Sequence, residues 1–401
     1  MNQPTPVATV PPRLPATVWA LGWVSFFTDV STELVYPLLP VFLTATLGAT
    51  MAFVGLVEGI AESTASLLKI ASGWWSDRLG KRKPLMIAGY GLSALTRPFI
   101  ALAMTGGQVL AARFIDRIGK GIRTSPRDAL LAASVPPEQR GAAFGVQRMM
   151  DNAGAVVGPL LAWLILSQFS GSYRTVFWIA VIPMAAAMLM LIFGAKESAA
   201  KPSQAPSPAA PTAFKPSPAF KSYLGAVLLF TLGNSSDAFL LLRAQSSGIS
   251  VAQLPLLWAA LHVIKSASSY PAGVLSDRVG RRGLIVGGWV VYALVYLGFG
   301  FASQPWHVWT LFLLYGLFYG MTESSERALV ADFHPDAERG RAFGAFHLIT
   351  GIGALPASLL MGGLWTAHGP LVAFGTGAAF ALIAAAWFLA RVPPSADIQS
   401  T

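Results

Sequence analysis

Two segments 200 residues apart are nearly copies of each other: Gly73-Trp74-Trp75-Ser76-Asp77-Arg78-Leu79-Gly80-Lys81-Arg82 and Gly273-Val274-Leu275-Ser276-Asp277-Arg278-Val279-Gly280-Arg281-Arg282. Each marks the point where a long apolar run gives way to a short charged turn. A boundary repeated at half-length points to a duplicated membrane half, which limits the fold to two related bundles. The repeat runs further. Arg127 matches Arg327, and Arg140-Gly141 with Phe144-Gly145 matches Arg339-Gly340 with Phe343-Gly344, one residue out of step.

The apolar runs decide the solvent. Of 401 residues, 54% are hydrophobic and only 11% charged, too little charge to coat a soluble domain of this size. A helix that crosses hydrocarbon needs roughly 20 mainly apolar residues. Twelve spans are expected, at 17–40, 50–76, 84–105, 108–132, 140–167, 173–194, 221–243, 251–276, 283–303, 307–332, 341–366 and 369–391. Their length favours helices, since a membrane strand needs only about ten residues. The expected fold is all-α, with twelve transmembrane helices in two pseudo-symmetric six-helix bundles. Residues 196–220 are rich in Pro, Ala and Ser and read as a cytoplasmic linker. That divides the chain into a tail at 1–16, a first bundle at 17–195, a second bundle at 221–391 and a tail at 392–401. The segment before Trp19 lacks the charged start and small-residue cleavage site of a signal peptide.

The net charge of +10 is spread in a way that argues for topology rather than nucleic-acid binding. Arg78, Lys81, Arg82 and Lys83, then Arg140, Lys196, Lys201, Lys215, Lys221, Arg278, Arg281, Arg282, Arg339 and Arg341 all fall in turns on one side. Turns on the other side are nearly bare, with Arg174 and Arg243 at their margins. The basic side is cytoplasmic, which puts both termini inside the cell membrane, the inner membrane of a bacterial-type cell. No cysteine is present and the histidines are scattered, so neither disulfides nor a transition-metal site are expected. No Gly-Lys-Ser/Thr phosphate loop supports ATP drive. No nucleophile with a convincing base marks an enzyme, and no cofactor is expected.

On these residues the chain resembles the major facilitator superfamily (MFS). Gly73 to Arg82 resembles that family's signature loop between the second and third helices, and Gly273 to Arg282 resembles its copy. Gly154-Ala155-Val156-Val157-Gly158-Pro159 resembles the fifth-helix motif common among proton-linked exporters. Arg113 resembles the family's buried fourth-helix arginine, although Asp116-Arg117 stands where glutamine-glycine is usual. The stretches Asp116 to Asp128 and Gly233-Asn234-Ser235-Ser236-Asp237 resemble one prokaryotic branch, mostly without assigned substrate. The resemblance implies architecture and alternating access, not cargo. The signature loops, repeated at matching places, also have a reading as a conformational latch formed by Gly73, Asp77, Arg78, Gly80, Gly273, Asp277, Arg278 and Gly280, whose contacts can break and reform between two conformations. Physically, glycines 73 and 273 permit close helix approach, and Asp77 and Asp277 can face a helix N-terminus. The plainer reading is a tightly packed, positive-inside turn.

Charges inside the spans carry the chemistry. Asp29 and Glu33 lie in span one, Glu58 and Glu62 in span two with Lys69 nearer the cytoplasm, and Arg148 and Asp151 in span five. Span four carries Arg113, Asp116, Arg117, Lys120 and Arg123, with its four bases inside an arc of roughly 120°. Each charge at mid-membrane costs at least about 2.5 kcal/mol unless paired or wet. Three readings stay open. The charges can lock helices, with Asp116 and Lys120 an obvious pair at i,i+4. Buried carboxylates can load and release protons, with Asp29, Glu33, Glu58, Glu62 and Asp151 as candidates. Bases can grip an anionic solute, with Arg113, Arg117 and Arg123 as candidates. The second half is no copy here: Glu62 aligns with His262, Arg123 with Glu323 and Asp151 with Gly351. Asp237 and His347 are its candidates for solute binding, although a lone membrane histidine commonly serves packing. Trp258, Tyr270, Tyr315 and Tyr319 can line a cavity or simply pack. Pro126 is expected to kink or end span four before Arg127.

The reading is a monomeric secondary transporter for a small organic solute, anionic or zwitterionic, with proton coupling. The fifth-helix motif leans towards export. One alternative is a multidrug exporter for lipophilic compounds, whose cavity would expose acids without a basic stripe. Another is a non-transporting receptor on the same fold.

Overall fold

A computed structural model describes residues 14–79, 82–136, 139–168, 172–197, 216–333 and 339–393. The described residues are helices and their connections, with no strand among them. Twelve long helical elements follow in chain order. The first six are α1 (Ala16–Thr46), α2 (Met51–Leu79), α3 (Lys83–Leu102), α4 (Gly106–Ala133), α5 (Arg140–Gln168) and α6 (Tyr173–Gly194). The second six are α7 (Pro218–Ser246), α8 (Leu254–Val279), α9 (Arg281–Phe301), α10 (Pro305–Asp332), α11 (Arg339–His368) and α12 (Pro370–Arg391). Nine of them are long and apolar enough to cross a membrane. The other three, α4, α8 and α10, are as long but interrupted by polar and charged residues. Those three turn Arg117, Lys120, Trp258, Lys265 and Tyr319 into a chamber between the bundles, which is why lipid tolerates them.

Within the first bundle α1 packs on α5 and α6, and α4 packs on α2 and α3. In the second, α8 packs on α10, α9 on α10 and α12, and α7 on α11 and α12. The bundles meet where α2 lies on α11 and α5 on α8, two seams that the sequence repeat exchanges with each other. Small residues allow these approaches. A Cβ added at Gly351 would sit 2.7 Å from Ser66 Cβ, and one at Gly59 would sit 2.8 Å from Leu355 Cδ1. Along α5 the Gly154 and Gly158 positions lie against α1, where an added Cβ would come within 2.5 Å of the Phe26 carbonyl oxygen and 2.8 Å of that of Val30. Backbone cannot yield as a flexible side chain does. Gly158→Val is therefore expected to cost about 1–3 kcal/mol or more and lower the unfolding temperature in detergent. An unchanged midpoint would show that α1 and α5 can separate freely.

The duplication is visible in hydrogen bonds as well as sequence. Arg82 Nη1 donates to the Ala129 carbonyl at 2.9 Å, and Arg281 Nη1 donates to the Ala328 carbonyl at 2.9 Å. One residue on, Lys83 Nζ donates to the Ile192 and Ala195 carbonyls at 2.7 Å, capping the end of α6. Arg282, which takes its place one residue out of step with the sequence repeat, donates to the Leu389 carbonyl at the end of α12. Cations at helix C-termini complement the unpaired carbonyls there. Glu197 closes the first half by accepting from the backbone N–H groups of Arg82 and Lys83 at 3.0 and 2.9 Å.

Two helices are broken, at matching places. α1 is interrupted at residues 36–38, where Pro37 cannot donate to the helix ladder. α7 is interrupted at residues 234–237, where Asn234, Ser235, Ser236 and Asp237 offer the backbone local partners instead; the Ala238 N–H donates to Ser236 Oγ at 3.3 Å. Beyond the breaks, Leu39, Val41 and Phe42 of α1 and Leu240 and Leu241 of α7 are fully buried, and the two segments pack together. They seal the side of the molecule opposite the start of α1.

The signature loops are described in part. Gly73, Asp77 and Arg78 lie in the last turns of α2, and Gly80 falls outside the described residues. Gly273, Asp277 and Arg278 lie in the last turns of α8. Gly280 ends α8 with φ +87°, a left-handed conformation that a side chain strains. An added Cβ at Gly273 would meet no heavy atom of the described residues within 4 Å. Pro126 does not end its helix: α4 continues to Ala133 and carries Arg127 on it. α7 begins at Pro218, ahead of the expected start at 221, because Ser217 caps it by accepting from the Phe220 N–H at 3.1 Å.

Candidate functional site

The chamber between the bundles has a volume of about 500 Å³ and lies against both helix breaks. Thr32, Glu33 and Tyr36 of α1 face it from one side, and Asn234 to Asp237 of α7 from the other. Interrupted helices at corresponding places in two repeats are where membrane carriers place their sites. A second cavity of about 590 Å³ shares Glu33, Lys120 and Lys265 with the chamber. It continues past Lys69, Arg127, Arg327 and His347 towards the terminal face, the one at which α1 begins and α12 ends. The result is one polar path, closed at one end and leading to the other.

The predicted charges separate into three groups along this path. Deepest in the first bundle, Arg113 donates from Nη2 to both carboxylate oxygens of Glu58 at 2.9 Å. Asp116 lies 3.6 Å from Arg97 and 4.0 Å from Arg113, so its partners are those arginines and not Lys120. Arg97 also donates to Ser31 Oγ at 3.1 Å and to Thr32 Oγ1 at 2.9 Å. All four charged groups are buried, and none lines the chamber. They pair in a neutral set, as charges away from water must. One contact leaves the first bundle: Ser236 Oγ in the α7 break donates to Glu58 Oε2 at 3.4 Å.

The second group lines the chamber. Arg117 faces Glu62 at 3.5 Å. Glu33 accepts from Trp258 Nε1 at 2.7 Å, a hydrogen bond from the second bundle to the first. Asp237 accepts from the hydroxyls of Tyr315 at 2.7 Å and Tyr319 at 2.9 Å. Lys265 pairs with Glu323 at 2.9 Å and lies 4.4 Å from the Tyr319 ring centre. Glu62 is 46% exposed although it sits within a long apolar helix, so water reaches the chamber wall.

The third group lines the lower cavity. Asp29 on α1 faces Asp151 on α5. Asp151 also receives Gln147 Nε2 at 3.4 Å and Arg148 Nη1 at 3.3 Å. Arg123 donates to Ser93 Oγ at 2.9 Å and stacks over Tyr90 at 4.4 Å, so its guanidinium is held inside the first bundle at the cavity edge. His347 lines the same cavity from α11, beside Lys69 and Arg327.

Arg97 escaped the sequence reading. It interrupts an apolar span just before Pro98, and that interruption was the available signal. Tyr36 escaped too, because a tyrosine in α1 reads as packing until the break beside it is known.

The Major Facilitator Superfamily model matches residues 21–264 and 224–401. The chain belongs to the major facilitator superfamily. An uncharacterised MFS-type transporter of Methanocaldococcus jannaschii is 32% identical over 379 residues, covering 92% of this chain and 94% of the relative. The cis,cis-muconate transport protein of Acinetobacter baylyi is 25% identical, covering 82% and 81%. Among solved structures, the nucleoside transporter NupG superposes with a TM-score of 0.81 over 94% of this chain and all of that one, at 16% identity. That likeness is one of fold. An MFS protein with this chamber is a multi-pass membrane transporter and not an enzyme.

Proposed function

We propose that this chain is a secondary transporter of the inner membrane that moves a small, charged organic solute by alternating access, coupled to protons. The observation that carries the reading is the charged chamber at the two helix breaks, closed towards one face and continuous with a polar cavity towards the other. The basic turns make the terminal face cytoplasmic, which makes this the inward-facing state of a monomer whose bundles, 17–195 and 221–391, rock about residues 196–220. Asp237 and Arg117 are the solute-binding residues, and Asp29, Glu33, Glu62 and Asp151 the proton-coupling groups. The buried pairing of Glu58 and Arg113 favours a locking role for both, and Arg123 and His347 border the route to the chamber. The muconate and nucleoside carriers among its likenesses make carboxylates and nucleosides the first solutes to try.

The test is flux into proteoliposomes against a panel of such solutes, with and without an imposed pH gradient. Gradient-driven accumulation of one class is expected. Saturable binding without any flux would favour a receptor on the same fold.

The signature loops act as the latch in this reading. Asp77→Asn is expected to slow exchange several-fold while solute affinity stays within about twofold. Equal exchange rates would remove the latch.

A further inference from the structure

Within the transport reading, we infer that Arg117 and Lys120 form the subsite for a carboxylate on the solute, and that Glu62 occupies the place its oxygens take. Arg117 is 4% exposed, yet its Nε has no hydrogen-bond partner among the described residues. Its nearest carboxylate oxygen, on Glu62, stands at 3.5 Å. That is attraction without a hydrogen bond, which needs about 2.7–3.2 Å. A buried guanidinium carries five donors in a fixed fork, and one left half-satisfied is costly. Arg113, one turn earlier on α4, also leaves its Nε without a partner among the described residues, but its Nη2 is met by both oxygens of Glu58 at 2.9 Å, whereas no carboxylate comes that close to Arg117. The two arginines differ because Glu58 is buried against α4, whereas Glu62 is 46% exposed to the chamber and free to leave.

Lys120 lies one turn further along α4 and borders both the chamber and the lower cavity. Its ammonium makes no hydrogen bond and no ion pair with the described residues. Glu62 and Asp29 are near enough to act on it through space without touching it. Two adjacent cationic side chains with unused donors, one of them buried, face a space that water already enters. A planar oxyanion fits them: one edge on the Arg117 fork, with the Lys120 ammonium alongside.

The remaining walls say what the rest of the solute is. Tyr36 and Trp258 lie 5.1 Å apart between ring centres, tilted by 41° to each other, and both line the chamber, a surface for an apolar or aromatic body. Asp237 and Glu33 are already supplied with donors by Tyr315, Tyr319 and Trp258, and no cation pairs with either among the described residues. A second carboxylate would be repelled by these acids, whereas an amino group would be attracted and an uncharged end left indifferent. The solute class is a small monocarboxylate or amino acid with an apolar body.

Benzoate and its uncharged isostere benzamide test the subsite without assuming which solute is natural. Thermal unfolding of the purified full chain is followed in detergent at constant ionic strength, with chloride as the reference anion. Benzoate is expected to raise the wild-type midpoint and benzamide to do so much less. Lys120→Met, which breaks no ion pair, and Arg117→Lys, which keeps the charge but loses the fork, should each weaken benzoate about tenfold or more. Glu62→Gln should bind benzoate more tightly than wild type, because the competitor is gone. Equal effects of benzoate and benzamide, or wild-type benzoate affinity in both cation variants, would overturn the subsite. Benzoate protection without flux of any solute leaves the subsite standing and counts against transport.

Discussion

Arg113→Ala should destabilise the protein by about 3–5 kcal/mol, because it strands a carboxylate that has no other ion-pair partner among the described residues. Glu58 is 1% exposed and takes both of its strong hydrogen bonds from Arg113. What remains for it is Ser236 Oγ at 3.4 Å, a neutral donor in another bundle. Asp116 would lose one of its two cations as well, keeping only Arg97. The double change Glu58→Leu with Arg113→Met removes the charges together and should recover most of the loss, since replacing a buried pair by apolar groups of similar volume is often close to neutral. Unfolding of single and double variants in detergent measures this. A single variant as stable as wild type would mean that the pair is hydrated and the first bundle looser than described.

The second large effect concerns energy coupling. Asp29→Asn and Asp151→Asn should each abolish accumulation driven by a pH gradient while leaving solute exchange at zero gradient within a few-fold of wild type. The two acids face one another across α1 and α5 in a cavity that leads to the terminal face. Both carboxylates therefore lie on the wall of that cavity, where a proton entering from that face can reach them before the bundles rock. A gradient of one pH unit supplies about 1.4 kcal/mol per proton, so a one-proton carrier can accumulate solute about tenfold. Removing the acceptor removes that tenfold and nothing else. Retained accumulation in both variants would move the coupling elsewhere, with Glu33 and Glu62 the next candidates among the acids along the path.

The fold was legible because its signals are additive and local. Apolar run length located the helices and the copied boundary at Gly73 and Gly273 gave two halves, whereas the contact of Gly154 and Gly158 with α1 is visible only in the structure. The site was legible in composition but not in arrangement. Helical periodicity put Arg113, Arg117, Lys120 and Arg123 on one broad face, yet that arc spans the boundary between bundle interior and chamber. Rotations smaller than the arc decide whether an arginine meets Glu58, faces Glu62 or stacks on Tyr90. Asp116 and Lys120 looked paired because i,i+4 spacing is visible in a sequence; Arg97, on another helix, is not. Pro126 failed as a helix end because neighbouring helices support the backbone that proline leaves unbonded.

The absence of cysteine makes the central claim directly measurable. Single cysteines at Thr231 and Thr350, both facing the chamber, would be exposed to a membrane-impermeant thiol reagent in right-side-out and inverted vesicles. A cysteine at Leu95, in an apolar groove on α3, serves as the control. Both chamber positions should react from the cytoplasmic face, and more slowly from the opposite face as the bundles rock. Leu95→Cys should react from neither. Chamber cysteines that react from one face alone under every condition, or from no face, would contradict a chamber that opens alternately to the two sides.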